Sequence, residues 1–260
     1  MLYMPEISVI IITYNEEKNI GRCLTSVERI ADEIIVVDSF STDNTAEICN
    51  SFRVNFFQTI FRGYIEQKNY ALSLASCPVV LSLDADEALS PELERSIVGV
   101  KNNWKYDGYY FNRLNKYCGR WMRYTSRYPD RKLRLWDRTR GRFGGTNPHD
   151  RVLMDKGSRV SFLKGDIEHY HYDTLYEHVK QVNRFTDIAA RAYYEKGIRS
   201  NYLKIIVHPL WRFFREFIIR RGFMDGFRGL AMSAVVSFES FLKYAKLRQM
   251  YRYDNKDKPG

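Results

Sequence analysis

The sequence predicts an α/β protein with a mainly parallel, twisted sheet flanked by helices and followed by a C-terminal helical extension. Over the first ninety residues, β-branched apolar runs alternate with amphipathic segments. After residue 100 this alternation fades, and helical periodicity dominates again from residue 175. Strands that alternate with short helices are joined by right-handed crossovers, so the first part is expected to form a parallel sheet with helices on both faces.

The N-terminal elements follow one another in a regular order. The run SVIII over residues 8–12 is typical of a strand that is buried on both faces. The next segment spaces Ile20, Leu24, Val27 and Ile30 as a helix does, with Asn15 as a candidate N-cap. We then expect strands over 33–38, 54–58 and 79–84, and helices over 41–52, with Ser41 or Asp43 as the cap, and over 63–75.

The second part of the chain has a different character. Residues 104–147 are rich in Tyr, Arg, Trp and Gly, and their short alternating segments predict added antiparallel strands and loops. Residues 175–197 predict a helix that ends at Gly197. Residues 201–250 predict two further helices, bent around Pro209. Neither apolar stretch in that region, 205–219 or 230–242, is suited to span a bilayer.

Composition and cysteine usage exclude several classes of protein. With 260 residues, 45% of them hydrophobic, the chain has an ordinary globular composition. Its four cysteines form no CxxC pair, so we expect reduced thiols rather than a zinc site or a disulfide scaffold. The N-terminus lacks a basic region, and Pro5 and Glu6 interrupt it, so we expect no signal peptide and a cytoplasmic protein.

Charge is distributed unevenly along the chain. Residues 1–100 carry 7 basic and 15 acidic side chains, whereas residues 101–260 carry 34 and 16. The net charges are therefore −8 and +18. This asymmetry indicates that the second part faces phosphates or an anionic membrane surface, although solvated surface charge is the alternative.

Acidic residues stand where predicted strands end. Asp38 closes EIIVVD, and Asp84 and Asp86 follow in VVLSLDAD. Ligands of open parallel sheets bind outside the carboxyl ends of the strands, so these side chains are expected to meet at one site. Paired carboxylates there suit a divalent cation and, with it, a diphosphate. The alternative is that this acidic segment only caps the helix that begins at Ser90 and Pro91.

The ordered segments ISVIIITYNEE, IIVVDSFSTDNT, QKNYAL and LSLDADE resemble the nucleotide-binding half of glycosyltransferase family 2, the inverting enzymes with the GT-A fold. The resemblance covers residues 6–100. It implies a catalytic domain over residues 1–174, with a donor half at 6–100 and an acceptor half at 101–174, before a basic amphipathic helical region at 175–260. The first strand is not followed by GxGxxG, which argues against a dinucleotide-binding dehydrogenase.

The resemblance also implies roles for residues of the donor half. Thr13, Tyr14 and Glu16 would line the base and ribose of a nucleotide-sugar, and Asp38 would hydrogen-bond the base. Asp84 would meet the ribose or the water shell of the metal. Asp86 would ligate Mg²⁺ or Mn²⁺, which neutralises the leaving diphosphate.

The resemblance bears on two further positions. Lys68, followed by Asn69 on the helix after the third strand, would support the donor site, the alternative being a solvated helix face. Asp150, beside His149, is the candidate general base, unless it only pairs with Arg151 or Arg138.

Cationic and imidazole groups complete the predicted site. Arg138 or Arg134 is expected to grip the donor diphosphate or a phosphorylated acceptor through bidentate contacts, a solvated surface position being the alternative. His169 and His171 share a strand face, and we place His171 among the metal ligands, a core position being the alternative.

The C-terminal third, with GFMDGFRGLAMSAVVSFESFLKYAKL, resembles the lipopolysaccharide core glycosyltransferases that add glucose to the inner core. This implies transfer of a hexose from a UDP-sugar to a lipopolysaccharide core or another lipid-linked saccharide. Its aromatic and basic helices favour an anionic membrane, so we expect a peripheral protein on the inner face of the cytoplasmic membrane. Packing onto the sheet domain or a dimer contact is the alternative.

Two other functions remain open from the sequence. A related enzyme would transfer to a polyprenyl-phosphate or a capsular acceptor. A basic nucleic-acid-binding protein is a more distant alternative, because the chain lacks the RNP, zinc-finger and helix-turn-helix signatures and its acidic first part would repel a phosphate backbone.

Overall fold

A computed structural model describes residues 4–147 and 149–256, without the side chains of residues 149, 171 and 254–256. The described chain forms two compact units. The first contains residues 4–114 and 130–170, and the second contains residues 115–129 and 171–256.

The first half of the first unit alternates strands and helices, as predicted. Its elements are β1 (Ile7–Thr13), α1 (Ile20–Val27), β2 (Glu33–Asp38), α2 (Thr45–Asn50), β3 (Asn55–Gln58), α3 (Tyr64–Leu74), β4 (Val79–Asp84), β5 (Glu87–Leu89) and α4 (Pro91–Lys101). Ser90 caps α4 through a hydrogen bond that its side chain accepts from the Leu93 N–H, with Pro91 in the first turn.

Three long strands extend this sheet: β6 (Gly108–Tyr117), β8 (Asp130–Asp137) and β11 (Val160–Tyr172), with the short β7 (Arg120–Met122) of the second unit paired to β6. The strands β9 (Gly141–Thr146) and β10 (His149–Met154) pair with each other in a separate antiparallel sheet. The sheet order is β3-β2-β1-β4-β8-β6-β11-β5. The first four strands are parallel and β8 is antiparallel to β4, so the predicted α/β class and the added antiparallel strands are confirmed.

Both faces of the parallel strands are buried, which explains their continuous β-branched runs. Val9 and Ile11 point into a core that α1 and α4 cover, whereas Ile10 points to the opposite face, where α3 packs. Trp136 of β8 and Phe143 of β9 join that second core, with ring centroids 5.5 Å apart. The sheet is therefore a rigid support for the loops at its carboxyl edge.

Two expected helix caps are replaced by other arrangements. Asn15 does not cap α1, which begins at Ile20; it has φ of 53°, and its Oδ1 accepts from the Thr42 N–H at 2.8 Å. Asp43 accepts from the N–H of Thr45, but α2 begins after Asn44. Asp43 also accepts from the Glu17 N–H at 3.1 Å, so these two side chains tie the loop after β1 to the loop after β2.

The second unit is mainly helical. It contains α5 (Leu175–Glu195), α6 (Tyr202–Phe214), a π-helical turn at Arg215–Ile219 and α7 (Phe227–Lys256). Thr174 and Glu177 form a capping box at the start of α5, and Gly197, with φ of 70°, follows its end as predicted. In the described part of the chain, we find no helix with the length and apolar character needed to cross a membrane.

Candidate active site

The carboxyl ends of β1, β2 and β4 lie side by side because the strands are in parallel register. Thr13 at the end of β1 pairs with Asp38 of β2, and Ile12 pairs with Asp84 of β4. The side chain of Tyr14, the next residue after β1, is 57% exposed. The predicted meeting of these strand ends at one edge is therefore observed.

An ion-pair cluster is built around Asp84. Lys68 of α3 lies 2.8 Å from Asp84 and 2.9 Å from Asp150 of β10, and its side chain is only 3% exposed. Nη2 of Arg134 lies 3.1 Å from Oδ2 of Asp84. Burial opposes ionisation of Asp84, but Lys68 and Arg134 hold the pKa of this carboxyl well below its usual range. Asp84 is therefore a permanent carboxylate.

These distances distinguish between the alternative roles that the sequence left open for Lys68 and for Asp150. Lys68 is buried, so the solvated-face alternative is wrong for this residue. Asp150 pairs with Lys68 rather than with the two arginines considered from the sequence. Asn69 is structural: it exchanges two hydrogen bonds of 3.0 Å with the backbone of Phe143, which fixes α3 against β9.

Glu87 supports the cluster from behind. Its side chain is fully buried, its Oε2 accepts from the Asp84 N–H at 3.0 Å, and its Oε1 lies 3.4 Å from Arg113 and 3.5 Å from Arg134. Burial lowers the pKa of Arg134, but Glu87 and Asp84 raise it above its ordinary value. Glu87 and Arg113 were not predicted from the sequence. The position of Glu87 directly after Asp86 was a signal that it could support the acidic pair, whereas Arg113 had no such signal.

Asp86 faces an imidazole. Its Oδ2 lies 3.0 Å from Nε2 of His169. Antiparallel pairing of β5 with β11 opposes His169 to Glu87, and the Tyr170 N–H donates to the Asp86 carbonyl, so the sheet itself creates this contact. The predicted ligand His171 has a side chain outside the described residues, and His169 is the histidine that the structure brings to Asp86.

The Asp86 and His169 donors are compatible with a divalent cation. Carboxylate oxygen suits Mg²⁺ and Mn²⁺, and imidazole nitrogen is a common ligand of transition metals. The side chain of Asp86 is 24% exposed, so a ligand can reach it. Between residues 4 and 256, leaving aside those not described, no three His, Cys, Asp or Glu side chains group to hold a metal. Asp86 and His169 are thus the two side chains that this part of the site would offer to such an ion.

Glu16 lies beside this pair. Its N–H donates to Oγ1 of Thr45 at 2.8 Å, and its Oε2 accepts from Asn19 at 2.8 Å. Burial, aided by the charge of Asp86, raises the pKa of Glu16 to about 7. Near neutral pH this carboxyl is thus able to donate or accept a hydrogen bond.

Asp38 has a different role from the one expected. Its side chain is completely buried, and it accepts hydrogen bonds from the N–H and hydroxyl of Ser41 and, at 3.0 Å, from Nε2 of Gln58. All three hydrogen bonds are thus made to protein groups around the turn and on β3. Asp38 thus fixes the turn at residues 39–41 rather than presenting its carboxylate to a base.

Arg138 is not brought to this edge, which corrects the expectation that it grips the diphosphate. Its N–H donates to the Pro78 carbonyl, and its guanidinium donates to the Ala75 carbonyl. Both acceptors lie before β4, whereas Asp84 ends that strand. The reason is that β8 runs antiparallel to β4, so the end of β8 lies at the amino edge of the parallel strands. Arg134, inside β8, reaches Asp84 instead.

Comparisons with known proteins identify the family of the chain. The model of the family "Glycosyl transferase family 2" matches residues 8–167. An uncharacterized glycosyltransferase of Rickettsia typhi is 32% identical over 257 residues, covering 95% of this chain and 88% of the relative. The lipopolysaccharide core biosynthesis glycosyltransferase LpsC of Rhizobium meliloti is 28% identical over 251 residues, covering 94% and 93% of the two chains.

Solved structures were also matched. TarS of S. aureus matches with a TM-score of 0.46 and 16% identity, covering 96% of this chain and 92% of that chain. Glucosyl-3-phosphoglycerate synthase from Mycobacterium tuberculosis, in complex with Mn²⁺ and uridine diphosphate, matches with a TM-score of 0.37 and 22% identity, covering 43% and 44% of the two chains.

The family model spans more than half of the chain, and the Rickettsia typhi relative is aligned over nearly all of it. The chain belongs to glycosyltransferase family 2 and is a glycosyltransferase with an α/β fold of the GT-A type.

Proposed function

We propose that this enzyme is an inverting, metal-assisted hexosyltransferase. It moves a hexose, by analogy glucose, from a UDP-sugar to a lipopolysaccharide core or another lipid-linked saccharide. The observation that carries this proposal is the common edge that holds both the Asp86–His169 pair and the Asp84–Lys68–Asp150 cluster. A cation site for the leaving diphosphate and a carboxylate for the acceptor then belong to one site.

Asp86 and His169 would hold Mg²⁺ or Mn²⁺. When bound, such an ion neutralises the charge that develops on the leaving nucleoside diphosphate as the anomeric bond breaks. Asp84 stays ionised because Lys68 and Arg134 face it, so it keeps the neighbouring edge negative and is available to the ribose or to water. Tyr14 and Glu16 belong to the loop after β1, which hydrogen bonds tie to the loop after β2, and they would line the base and ribose of the donor.

Asp150 is the proposed general base. It accepts the proton of the acceptor hydroxyl as that oxygen attacks the anomeric carbon, and a single attack of this kind inverts the configuration. Lys68 holds Oδ2 of Asp150 at 2.9 Å, and the side chain of Asp150 is 14% exposed. Lys68 therefore orients the carboxylate and keeps it near Asp84.

We test the base with Asp150→Asn, which keeps the shape of the side chain and removes its basicity. Hexose transfer should fall by at least about 100-fold, whereas calorimetry should show UDP binding at close to the wild-type affinity. Asp155→Asn, at an exposed carboxylate in the turn that follows β10, is the matched control and should transfer normally. Transfer by Asp150→Asn at near the wild-type rate would show that another group takes the proton.

The acceptor class rests on the similarity to LpsC and is tested directly. Purified enzyme with UDP-glucose and Mn²⁺ is offered truncated inner-core lipopolysaccharide or a polyprenyl phosphate, and products are identified by mass spectrometry. A product carrying one added hexose on the lipopolysaccharide supports the proposal. Addition only to the polyprenyl phosphate would favour the alternative acceptor.

The second unit carries a surface suited to an anionic membrane on the cytoplasmic side. Four side chains of α6 at spacings of three and four residues face outward, Leu203, Ile206, Leu210 and Phe214, and they are 68%, 57%, 66% and 47% exposed. Residues 202–228 carry six Lys and Arg against two acidic residues. The two acidic side chains are occupied: Glu216 pairs with Arg215, and Asp225 accepts from two backbone N–H groups.

An exposed apolar stripe beside excess positive charge is the pattern of a helix that lies in a bilayer interface. Flotation with vesicles containing phosphatidylglycerol should recover the wild-type enzyme at low salt, and Leu210→Asp should reduce this recovery. The control Tyr106→Asp changes an exposed aromatic residue of the first unit and should float like wild type. If the wild-type chain stays with the soluble fraction and instead sediments as a dimer, the stripe is a contact between copies.

A further inference from the structure

Phe40 combines two features that are both unfavourable in the free protein. Its backbone has φ of 61°, the left-handed region that a bulky L-residue rarely adopts. Its side chain is 51% exposed, so this conformation does not serve to bury the ring. Strained conformations of this kind persist where the surrounding structure enforces them, and they are concentrated at functional sites.

The turn that carries Phe40 is held from both sides. Asp38 accepts hydrogen bonds from the backbone and hydroxyl of Ser41, directly after Phe40. Oγ of Ser39, directly before it, accepts from Nε2 of Gln67 at 3.1 Å. Oγ of Ser41 also accepts from the Asn15 N–H at 2.8 Å, which ties the turn to the loop after β1. The exposed ring is therefore presented by a fixed loop.

The position of Phe40 corresponds to one end of the proposed donor. Because β1 pairs with both β2 and β4, the strand before Phe40 lies two strand spacings, about 10 Å, from the strand that ends at Asp84. A nucleoside diphosphate carries its base and its diphosphate at opposite ends. With the diphosphate at Asp86, the base reaches the loops that hold Tyr14 and Phe40.

We infer that Phe40 is a nucleobase-contacting residue, which stacks against the base of the donor together with the exposed Tyr14. This inference rests on the proposed function and adds to it a contact that contributes affinity for the base of the donor. Base stacking on an aromatic side chain is favourable for any base, and here the ring is already in place before the donor arrives.

The test is Phe40→Gly, because glycine adopts a φ of 61° without strain. The variant should unfold at a temperature about 2–4 °C higher than wild type, since it relieves the strain and loses little burial. Its affinity for UDP with Mn²⁺, measured by calorimetry, should nevertheless fall about 5- to 100-fold. The affinity for pyrophosphate with Mn²⁺, which lacks a base, should not change.

Phe162→Ala, at a 40% exposed phenylalanine near the start of β11, is the matched control and should bind UDP normally. Unchanged UDP affinity in Phe40→Gly overturns the inference, as does an equal loss of pyrophosphate affinity, which would mean that Phe40 acts through the fold of the site. If the wild-type enzyme binds no UDP, GDP or TDP with Mn²⁺, the donor proposal fails and this inference fails with it. If wild type binds and Phe40→Gly binds equally, only this inference fails.

Discussion

At the scale of single residues, the site depends on one buried ammonium group between two carboxylates. Lys68 joins Asp84 to Asp150, which lie on separate elements and are 66 positions apart in the sequence. In a buried environment such a bridge fixes the positions of the two carboxylates as well as contributing to stability, because each charge needs its partner to remain ionised. Lys68 thus links the donor edge to the proposed base.

Lys68→Met tests this linkage. The substitution leaves two carboxylates close together without their shared cation, so we expect unfolding free energy to fall by about 3–5 kcal/mol in urea titrations. Transfer should be lost even at temperatures where the variant is folded. Lys156→Met, at an exposed lysine in a turn, is the control and should be close to wild type in both measurements. A Lys68→Met enzyme of normal stability and activity would show that the bridge has no such role.

At the scale of elements, a buried histidine of α5 makes the stability of the fold dependent on pH. His178 is 1% exposed, its Nδ1 lies 2.9 Å from the Tyr117 hydroxyl, and its ring stacks on Tyr172 at 4.5 Å. Burial, with a smaller effect of Arg127, lowers the pKa of His178 to about 4. The folded state therefore keeps His178 neutral where the unfolded chain, with a pKa near 6.5, takes up a proton.

Stability contributed by neutral His178 is present above pH 6.5 and is lost as the pH falls toward 4. Between these values the unfolding free energy should decrease by up to about 1.4 kcal/mol per pH unit from this group. His178→Gln should make the pH dependence shallower in denaturant titrations at pH 7, 6 and 5. The same slope in both proteins would mean that other groups account for it.

Two glycines give a second test at this scale. Gly165 in β11 has φ of 97°, and a Cβ there would lie 2.3 Å from the Leu93 nitrogen, so Gly165→Ala should destabilise the fold by at least about 2 kcal/mol. A Cβ at Gly99 in α4 meets no heavy atom of the described residues within 4 Å, so Gly99→Ala should stabilise it by about 0.5–1 kcal/mol. Thermal unfolding of the two variants measures the direction of each change in stability. An equal change in both variants would contradict the packing of β11 against α4.

The parallel half of the fold was predictable because strands that are buried on both faces have continuous β-branched runs, such as the run at residues 8–12. The contact of Asp86 with His169 was not, because it depends on the pairing of β5 with β11 across 83 positions. Arg138 was misplaced because a pattern of alternation predicts the face of a strand but not which edge of the sheet its end reaches. The left-handed conformation of Phe40 was not predictable, because a positive φ is usually signalled by glycine and this position holds phenylalanine.

At the scale of the whole molecule, the first unit provides the donor edge and the second carries the basic, apolar surface of α6. The net charge of +18 over residues 101–260 is consistent with a substrate or surface that carries negative charge. Both features support the proposal of an anionic, lipid-linked acceptor, and the proposed donor site is the part on which the other proposals depend.

The most direct test is calorimetric titration of the full chain with UDP, GDP and TDP, each with and without Mn²⁺, repeated with Asp86→Ala. Glu92→Ala, at an exposed carboxylate in the first turn of α4, is the control. We predict that UDP binds in a manner that depends on Mn²⁺, that Asp86→Ala loses this dependence, and that Glu92→Ala retains it. If none of the three nucleotides binds under either condition, the carboxyl edge is not a metal-assisted nucleotide-sugar site and the protein does not have the proposed function.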